Sequence, residues 1–189
     1  MDALKAAGWH TITLATLGDD LLAGRAPSAK SFVVSIDDGW YDGYTYAFPI
    51  LRAHGFVATF FVISSRIGNG DFLSASNLTS LIAAGNEIGN HTVDHVSLPY
   101  LTTANMTSEV NLASDQIAQV TGERPKSFAY PMGGITNASM SVVAACPGME
   151  IAVTEWKAIG ETNVGRFDVP RLEIGPGVSA QSLLAMLAG

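Results

Sequence analysis

The stretch "FVVSIDDGWYDGYTYAFPILRAHGFVATFFVI", residues 32–63, has the pattern of two strands joined by a helix. β-branched and aromatic residues dominate its two ends, as is typical of strands. The segment between them has the residues of a helix, so the order of the three elements predicts a βαβ unit with parallel strands. Two adjacent carboxylates, Asp37 and Asp38, lie where the first strand ends.

The rest of the chain continues this alternation. The clearest helix runs from about Thr103 to Thr121, where apolar residues recur at steps of three and four and Gly122 ends the pattern. Further strands are predicted at "NEIGNH", "SFAY", "IAVT" and "RLEI", and further helices at "LTSLIAAG", near "NASMSVVAAC" and through "AQSLLAMLA". We expect an α/β fold with a mainly parallel sheet, in a single domain over residues 1–189.

The composition limits the possible functions. The chain has 189 residues, of which 48% are apolar, enough to fold around a core without disulfides. Its net charge of −7 argues against nucleic acid or an anionic membrane as a partner, because such sites need clustered Lys and Arg. The one cysteine, Cys146, excludes internal disulfides and a cysteine-based zinc site. The N-terminus "MDALKAAGWH" lacks the pattern of a signal peptide, and no apolar stretch approaches the length of a membrane span.

Three polar clusters follow predicted strands. Asp37 and Asp38 follow "FVVSI", His91 and His95 follow "NEIG", and residues 130–134 follow "SFA". The carboxyl ends of parallel strands meet at one edge of a sheet, where α/β folds build their active sites. We therefore expect the three clusters to share one face. Taken alone, two adjacent aspartates in a turn more often serve helix capping.

The motif "HTVDH", residues 91–95, adds metal chemistry to this face. Histidines at positions i and i+4 can meet on one side of a helical turn. Two imidazole nitrogens and one carboxylate oxygen make a zinc site with the fourth position open for water. One aspartate would then bind the metal, while the other would take a proton from that water. A structural or solvated histidine pair is the alternative.

These motifs resemble those of the polysaccharide deacetylases with the NodB-homology domain, carbohydrate esterase family 4. The family motif T-F-D-D-G corresponds to residues 35–39, and H-[ST]-x-x-H stands unchanged at residues 91–95. The third motif matches the F-A-Y-P-x-G subgroup at residues 128–133, and "DVPRLEI" is similar to the subgroup's L-P-R-[IL] segment. The resemblance covers roughly residues 30–175, which form the expected core of the domain.

The resemblance implies a distorted, incomplete (β/α) barrel that removes acetyl groups from sugars with zinc or a similar divalent ion such as Co²⁺ or Ni²⁺. Carried over residue by residue, it makes Asp38, His91 and His95 the metal ligands and Asp37 the general base. It also places the backbone N–H of Met132 where that group would donate to the reaction's oxyanion. Methionine replaces a more usual aromatic residue there, which leaves a backbone donor unchanged.

One position departs from the wider family. Other members carry an arginine in the third motif, where this chain has Ala129. The resemblance makes Arg171 the candidate to orient Asp37 in its place. A purely structural ion pair is the alternative for Arg171.

Four further residues are expected at the substrate by the same resemblance. Tyr130 and Pro131 belong to the third motif, whereas Trp156 and Leu172 fall where the family builds an apolar wall around the acetyl methyl group. An ordinary core role is an equal alternative for Trp156 and Leu172.

Three functions remain open at this stage. The first is a deacetylase acting on chitooligosaccharide, peptidoglycan or poly-N-acetylglucosamine. The second is a catalytically impaired carbohydrate-binding domain that keeps the metal, and the third is an acetyl xylan O-esterase. The partner in each case is an acetylated oligo- or polysaccharide, and the family resemblance implies a secreted or cell-envelope location.

The proton donor for the leaving amine is the missing part of the pattern. Many family members supply it from a histidine in a late L-x-H motif, which this chain lacks. Apart from His91 and His95, the chain contains only His10 and His54, and neither fits the pattern of the site. Our hypothesis is that Asp37 takes a proton from water and returns it to the leaving nitrogen.

Overall fold

The computed structural model describes residues 1–155 and 165–188, in which strands and helices alternate along the chain. The strands are β1 (His10–Thr11), β2 (Ser31–Phe32), β3 (Ser35–Ile36), β4 (Thr59–Val62), β5 (Glu87–Asn90), β6 (Ser127–Ala129) and β7 (Ile151–Val153). The helices are α1 (Asp2–Ala6), α2 (Leu14–Leu22), α3 (Phe48–His54), α4 (Ala75–Ala83), α5 (Thr103–Thr121), α6 (Asn137–Ala145) and α7 (Ala180–Ala188). A π-helical turn, Gly43–Ala47, leads directly into α3.

Strands β3 to β7 form one sheet whose spatial order follows the chain order, and every pair in it is parallel. Helices α3 to α6 connect the strands in turn. Because the order never reverses, the sheet curls like part of a barrel wall and all its carboxyl ends lie along one edge. The predicted α/β fold with an incomplete barrel is confirmed.

The hydrophobic core lies on both faces of this sheet. Strand β4 is buried along its whole length, as expected for a parallel strand that is covered on two sides. Phe60 packs in one cluster with Leu51 of α3, whereas its neighbour Phe61 packs in another with Leu14 of α2 and Ile151 of β7. Successive side chains of a strand point to opposite faces, so these two rings join the sheet to different layers.

Gly89 allows the close packing at the centre of the sheet. It pairs with Phe61 across β4 and β5. A Cβ atom at Gly89 would overlap both the Phe61 ring and the Ser127 hydroxyl. Only glycine fits where the large ring crosses the neighbouring backbone.

The long helix α5 has the limits that the sequence predicts. The Thr102 side chain accepts a hydrogen bond from the Asn105 N–H at its start, and Gly122 ends it with φ 88°. These are the usual start and stop chemistries of a helix. Within residues 1–155 and 165–188, no helix combines the length and apolar character needed to cross a membrane.

Two strand predictions need correction. The "FVVSI" run is divided: β2 pairs with β1 in a separate two-stranded ladder, and only β3 joins the main sheet. The "RLEI" segment forms no strand, and a single bridge from Val169 to Val153 takes its place. Pro170 has no N–H to donate to a ladder, which explains why pairing stops there.

Candidate functional site

The two aspartates that end β3 point in different directions. Asp38 and Gly39 both have left-handed backbone angles, with φ 72° and 76°. The turn separates the neighbouring carboxylates: Asp37 contacts Arg171, and Asp38 faces the histidine pair. Two adjacent residues therefore serve two different parts of the site.

Arg171 holds the Asp37 carboxylate through two parallel hydrogen bonds. Its Nη1 and Nη2 atoms lie 2.7 Å from Oδ1 and Oδ2 of Asp37. The guanidinium is itself fixed, because Nε donates to the Thr154 carbonyl at 2.9 Å and Nη1 also donates to the Ser35 hydroxyl at 3.1 Å. A bidentate pair of this kind sets the orientation of the carboxylate as well as its position. The coil after Pro170, which was predicted to be a strand, presents this arginine to the sheet edge.

Asp38, His91 and His95 form a compact group of three possible metal donors. The Asp38 Oδ1 atom lies 3.4 Å from His91 Nε2 and 3.3 Å from His95 Nε2. One donor atom from each residue falls within 4.8 Å of the other two. His91 is buried, whereas about a third of His95 and of Asp38 is exposed. The group is therefore anchored in the core and open to solvent on one side.

The two histidines meet through a loop, and the predicted helical turn between them is wrong. Thr92 and His95 both have left-handed backbone angles, with φ 66° and 58°. The Thr92 N–H donates to Asn90 Oδ1 at 2.8 Å, and the His95 N–H donates to Thr92 Oγ1 at 2.9 Å. These short local bonds fold the chain back so that both rings face Asp38.

Glu109 and Asn90 hold this loop in place, and the sequence analysis did not identify either. The Glu109 Oε2 atom accepts hydrogen bonds from the N–H groups of Val93 and Asp94 at 3.0 and 3.1 Å. The buried Asn90 amide donates to the Val110 carbonyl of α5. A polar residue directly before the first histidine was a usable signal for Asn90, since buried amides are normally hydrogen-bonded. Glu109 had no signal, because its partners are backbone groups on a distant segment.

Backbone strain is concentrated at this edge of the sheet. Five non-glycine residues of the described chain have positive φ, and four of them are Asp38, Thr92, His95 and Met132. Each such residue costs of order 1 kcal/mol and persists only where the surroundings impose it. Strain of this kind gathers at functional sites, which separates this edge from the rest of the molecule.

The donor atoms of the three-residue group fit a cation. His91 Nδ1 lies 2.8 Å from the Ala129 carbonyl, and Nε2 of the same ring faces Asp38. A neutral imidazole has one proton, so it can satisfy only one of these two acceptors. Burial and the neighbouring His91 lower the pKa of His95, which favours the neutral form of the His95 ring. A positive ion between the nitrogens and the carboxylate would satisfy acceptors that now face one another.

The contact with His91 is the largest influence on the pKa of Asp38. It lowers the pKa of that carboxyl below its ordinary value, and the Trp40 N–H contributes in the same direction. Asp38 therefore remains ionised at neutral pH, as a metal-binding carboxylate must.

The third motif presents a backbone turn rather than side chains. Pro131 is buried, and Met132 follows it with φ 58° and a side chain that is 59% exposed. Across residues 1–155 and 165–188, no acceptor is found for the Met132 N–H. Tyr130 is fully buried and donates its hydroxyl to the Phe167 carbonyl, and burial raises its pKa. Its assignment to substrate binding stays a prediction that this burial does not favour.

The remaining predicted residues lie in different places. Leu172 is half-buried and lines the same groove as Asp37. Trp156 lies outside the described residues, so its predicted role stays a prediction. His10 lies on β1, where its Nε2 atom contacts the Ser28 hydroxyl at 2.8 Å.

Comparisons with known proteins agree with the motifs. The model of the polysaccharide deacetylase family matches residues 24–150. The Bacillus subtilis protein YxkH is 26% identical over 180 residues, which cover 95% of this chain and 64% of YxkH. The peptidoglycan-N-acetylmuramic acid deacetylase PdaC of B. subtilis is 30% identical over 112 residues, covering 59% of this chain and 23% of PdaC. The chain thus spans less than two thirds of both relatives.

A solved structure shares the fold. The Streptococcus pyogenes deacetylase PplD, determined in complex with acetate, superposes with a TM-score of 0.93 at 23% identity. The superposition covers 98% of this chain and 83% of PplD. At this level of identity the likeness establishes the half-barrel architecture alone.

Proposed function

Because this chain belongs to the polysaccharide deacetylase family, we propose that it is a metal-dependent deacetylase acting on N-acetylated glycans. One observation carries the proposal: two imidazole rings and a carboxylate face one another beside a second carboxylate that an arginine holds. Asp38 and the two histidines suit a cation, and Asp37 with Arg171 suits a base. The two groups lie side by side because Asp37 and Asp38 are neighbours at the end of β3.

Asp38, His91 and His95 would hold the metal, as Zn²⁺ or a similar ion such as Co²⁺ or Ni²⁺. Nitrogen and carboxylate oxygen are common ligands of these ions. When bound, such an ion lowers the pKa of water toward about 7 and polarises a carbonyl. The Ala129 carbonyl keeps the His91 proton on Nδ1, so that Nε2 is free to bind.

Asp37 acts as the general base. Its carboxylate takes a proton from the water that attacks the acetyl carbonyl, and it then returns this proton to the nitrogen that leaves. Arg171 is a positioning residue, since its two bonds fix both oxygens of Asp37. The same carboxylate serves as base and then as acid, so no histidine acid is required.

Met132 and Leu172 complete the proposed acetyl site. The N–H of Met132 lies in the left-handed turn after Pro131 and has no acceptor among the residues that the structure describes. It would donate to the negative oxygen that develops on the attacked carbonyl. Leu172 would contribute an apolar wall for the methyl group from the groove that it shares with Asp37.

The proposed substrates are chitooligosaccharide, peptidoglycan and poly-N-acetylglucosamine. The relative PdaC is named for deacetylating N-acetylmuramic acid in peptidoglycan, which supports a cell-wall glycan. We propose a location outside the cell or in its envelope, where such glycans occur. We also propose that residues 1–189 form a single domain.

The test is acetate release from a panel of acetylated glycans. Protein loaded with Zn²⁺, Co²⁺ or Ni²⁺ is incubated with each of the three proposed glycans and with acetyl xylan, with a chelator-treated sample as the control. We expect acetate from an N-acetylated glycan, and loss of this release on chelation. Release from acetyl xylan alone would identify an O-esterase. Glycan binding without any release would identify a carbohydrate-binding domain.

A further inference from the structure

An aromatic pair, the exposed Trp40 and the half-buried Phe72, lies beside Asp38 and has no part in the reaction described above. The ring of Trp40 stacks on Phe72 with 4.1 Å between the ring centroids and 24° between the planes. Trp40 is 44% exposed, and its indole N–H donates to Asp38 Oδ2 at 3.2 Å. This is the carboxylate oxygen that does not face the histidines. The exposed ring therefore begins within one hydrogen bond of the proposed metal site.

The pair is held rigidly by backbone contacts. Residues 40 and 72 form an antiparallel bridge. On either side of it, the Tyr41 N–H donates to the Asp71 carbonyl at 2.7 Å, and the Leu73 N–H donates to the Gly39 carbonyl at 2.8 Å. A ligand that stacked here would meet a surface that is already ordered, so little conformational entropy would be lost on binding.

A cation supports the pair. The guanidinium of Arg66 lies 5.6 Å from the centre of the Phe72 ring, within the range of a cation–π contact. Arg66, Phe72 and Trp40 thus form a connected series that ends in a large exposed aromatic ring at the site.

The chemistry of the exposed ring fits a sugar. The C–H groups on one face of a β-linked pyranose form an apolar surface, and an indole ring offers a flat apolar partner of similar size. Tryptophan is suited to such a half-wet position, because its face is apolar while its N–H keeps a polar partner. Here that polar partner is Asp38, which fixes where the stacked sugar would lie.

We propose that Trp40, supported by Phe72, is a subsite that stacks the pyranose ring next to the acetylated sugar. The proposal rests on the proposed function and deepens it by adding a requirement for chain length. A glycan with several sugar units can place one ring at the acetyl site and its neighbour on Trp40, whereas a single N-acetylglucosamine unit has no second ring to stack. The protein should therefore prefer an oligosaccharide to a monosaccharide.

The kinetic test separates stacking from the hydrogen bond to Asp38. Trp40→Ala removes both, whereas Trp40→Phe keeps an aromatic face and loses the N–H. We expect Trp40→Ala to raise KM for N-acetylchitotetraose by about tenfold and to leave KM for N-acetylglucosamine within about twofold. Trp40→Phe should keep KM for the tetrasaccharide within about threefold. Tyr46→Ala, which removes an exposed ring outside the site, is the matched control and should change neither value.

Binding measured without turnover keeps this test independent of the proposed function. Calorimetric titration of N-acetylchitotetraose is compared in Asp37→Asn and in the double variant that also carries Trp40→Ala. Weaker binding in the double variant supports the subsite even if no glycan in the panel releases acetate. Equal binding in the two proteins, or equal KM values in the kinetic test, would overturn the subsite. If Trp40→Ala lowered only the affinity for Zn²⁺, Trp40 would be a positioning residue for Asp38 and no part of a sugar site.

Discussion

The two edges of the parallel sheet each carry a carboxylate, and the surroundings of the two differ. At the amino-terminal edge, Glu87 accepts hydrogen bonds from the hydroxyls of Thr59 and Ser127 and from the Ala15 N–H. All of these donors are neutral. At the carboxyl-terminal edge, Asp38 faces the ring nitrogens of two histidines, one of which already directs its other nitrogen to a carbonyl.

The difference separates a structural carboxylate from one that belongs to the proposed metal site. Glu87 and Thr59 satisfy the first N–H groups of α2, because Thr59 Oγ1 also accepts from the Leu14 N–H at 2.9 Å. This contact fastens a helix under the sheet and leaves no acceptor unpaired. The site at the opposite edge has more acceptors than donors, so a bound cation would stabilise it more than it would stabilise the surroundings of Glu87. Counting the donors around each carboxylate therefore distinguishes the two roles.

The largest expected effect comes from removing a proposed metal ligand. His95→Ala should abolish acetate release and lose the bound metal, while the unfolding midpoint of the metal-free protein changes by no more than a few degrees. Elemental analysis, activity and thermal unfolding measure the three quantities. Stoichiometric metal in this variant would contradict the ligand assignment.

Substitutions of the two aspartates at the end of β3 should have different effects. Asp37→Asn removes the proposed base and no ligand, so turnover should fall by about a hundredfold or more with the metal retained. Asp38→Asn should lose the metal as well. Comparing the metal content of the two purified variants checks this, and the reverse result would mean that the two roles are exchanged.

Changes at the amino-terminal edge should affect stability alone. Glu87→Ala leaves the Ala15 N–H and the hydroxyls of Thr59 and Ser127 without their acceptor, so it should lower the free energy of unfolding by about 2–4 kcal/mol, with metal content unchanged. Denaturant unfolding measures the first quantity and elemental analysis the second. Loss of metal in Glu87→Ala would remove the distinction between the two edges.

The pH dependence of stability at this edge has a defined sign. Burial raises the pKa of Glu87 above its ordinary value of 4.5. The folded state therefore holds this proton more tightly, and the resulting stabilisation is complete below pH 4.5 and lost as the pH rises through the raised pKa. Glu87→Gln has no such dependence. The free energy of unfolding of the Gln variant, relative to that of the parent protein, should therefore increase as the pH is raised from 4. A constant difference would show that Glu87 titrates alike in both states.

A smaller effect is expected from the residue that holds the histidine loop. Glu109→Ala should weaken Zn²⁺ binding by roughly tenfold, because the loop loses two backbone hydrogen bonds. Both bonds go to one oxygen, so Glu109→Gln should keep an affinity within about twofold of the parent. Competition with a chromogenic chelator measures both variants. Equal losses in Ala and Gln would indicate that the charge of Glu109 matters instead of its geometry.

The smallest expected effect tests the absence of a histidine acid. His10 contacts Ser28 on the β1 side of the molecule, so His10→Ala should change kcat by less than about threefold. Loss of a true general acid would lower kcat by roughly 10²–10⁴. A fall of that size would make His10 the proton donor and end the proposal that Asp37 returns the proton.

The sequence alone predicts a mainly parallel α/β sheet and the residues that gather at its edge. Local patterns carry this information: β-branched runs mark the strands, periodic apolar residues mark α5, and turns after strands place Asp37, Asp38, His91 and His95. Parallel connections then bring those turns together, since the carboxyl ends of such strands share one side. The strand predicted at "RLEI" does not form, because Pro170 has no N–H to donate to a ladder and the apolar pattern does not include this effect.

The contacts of the side chains at that edge depend on the folded structure. The left-handed angles at Asp38, Thr92 and His95 belong to turns that no apolar or β-branched pattern predicts. Such a pattern also does not predict the contact of Glu109 with the histidine loop. Family resemblance made Arg171 the candidate partner of Asp37, and the fold brings the two into a bidentate contact across 134 positions. Residue types and their spacing determine which groups can meet, whereas packing of the whole chain fixes the distances and angles at which they do.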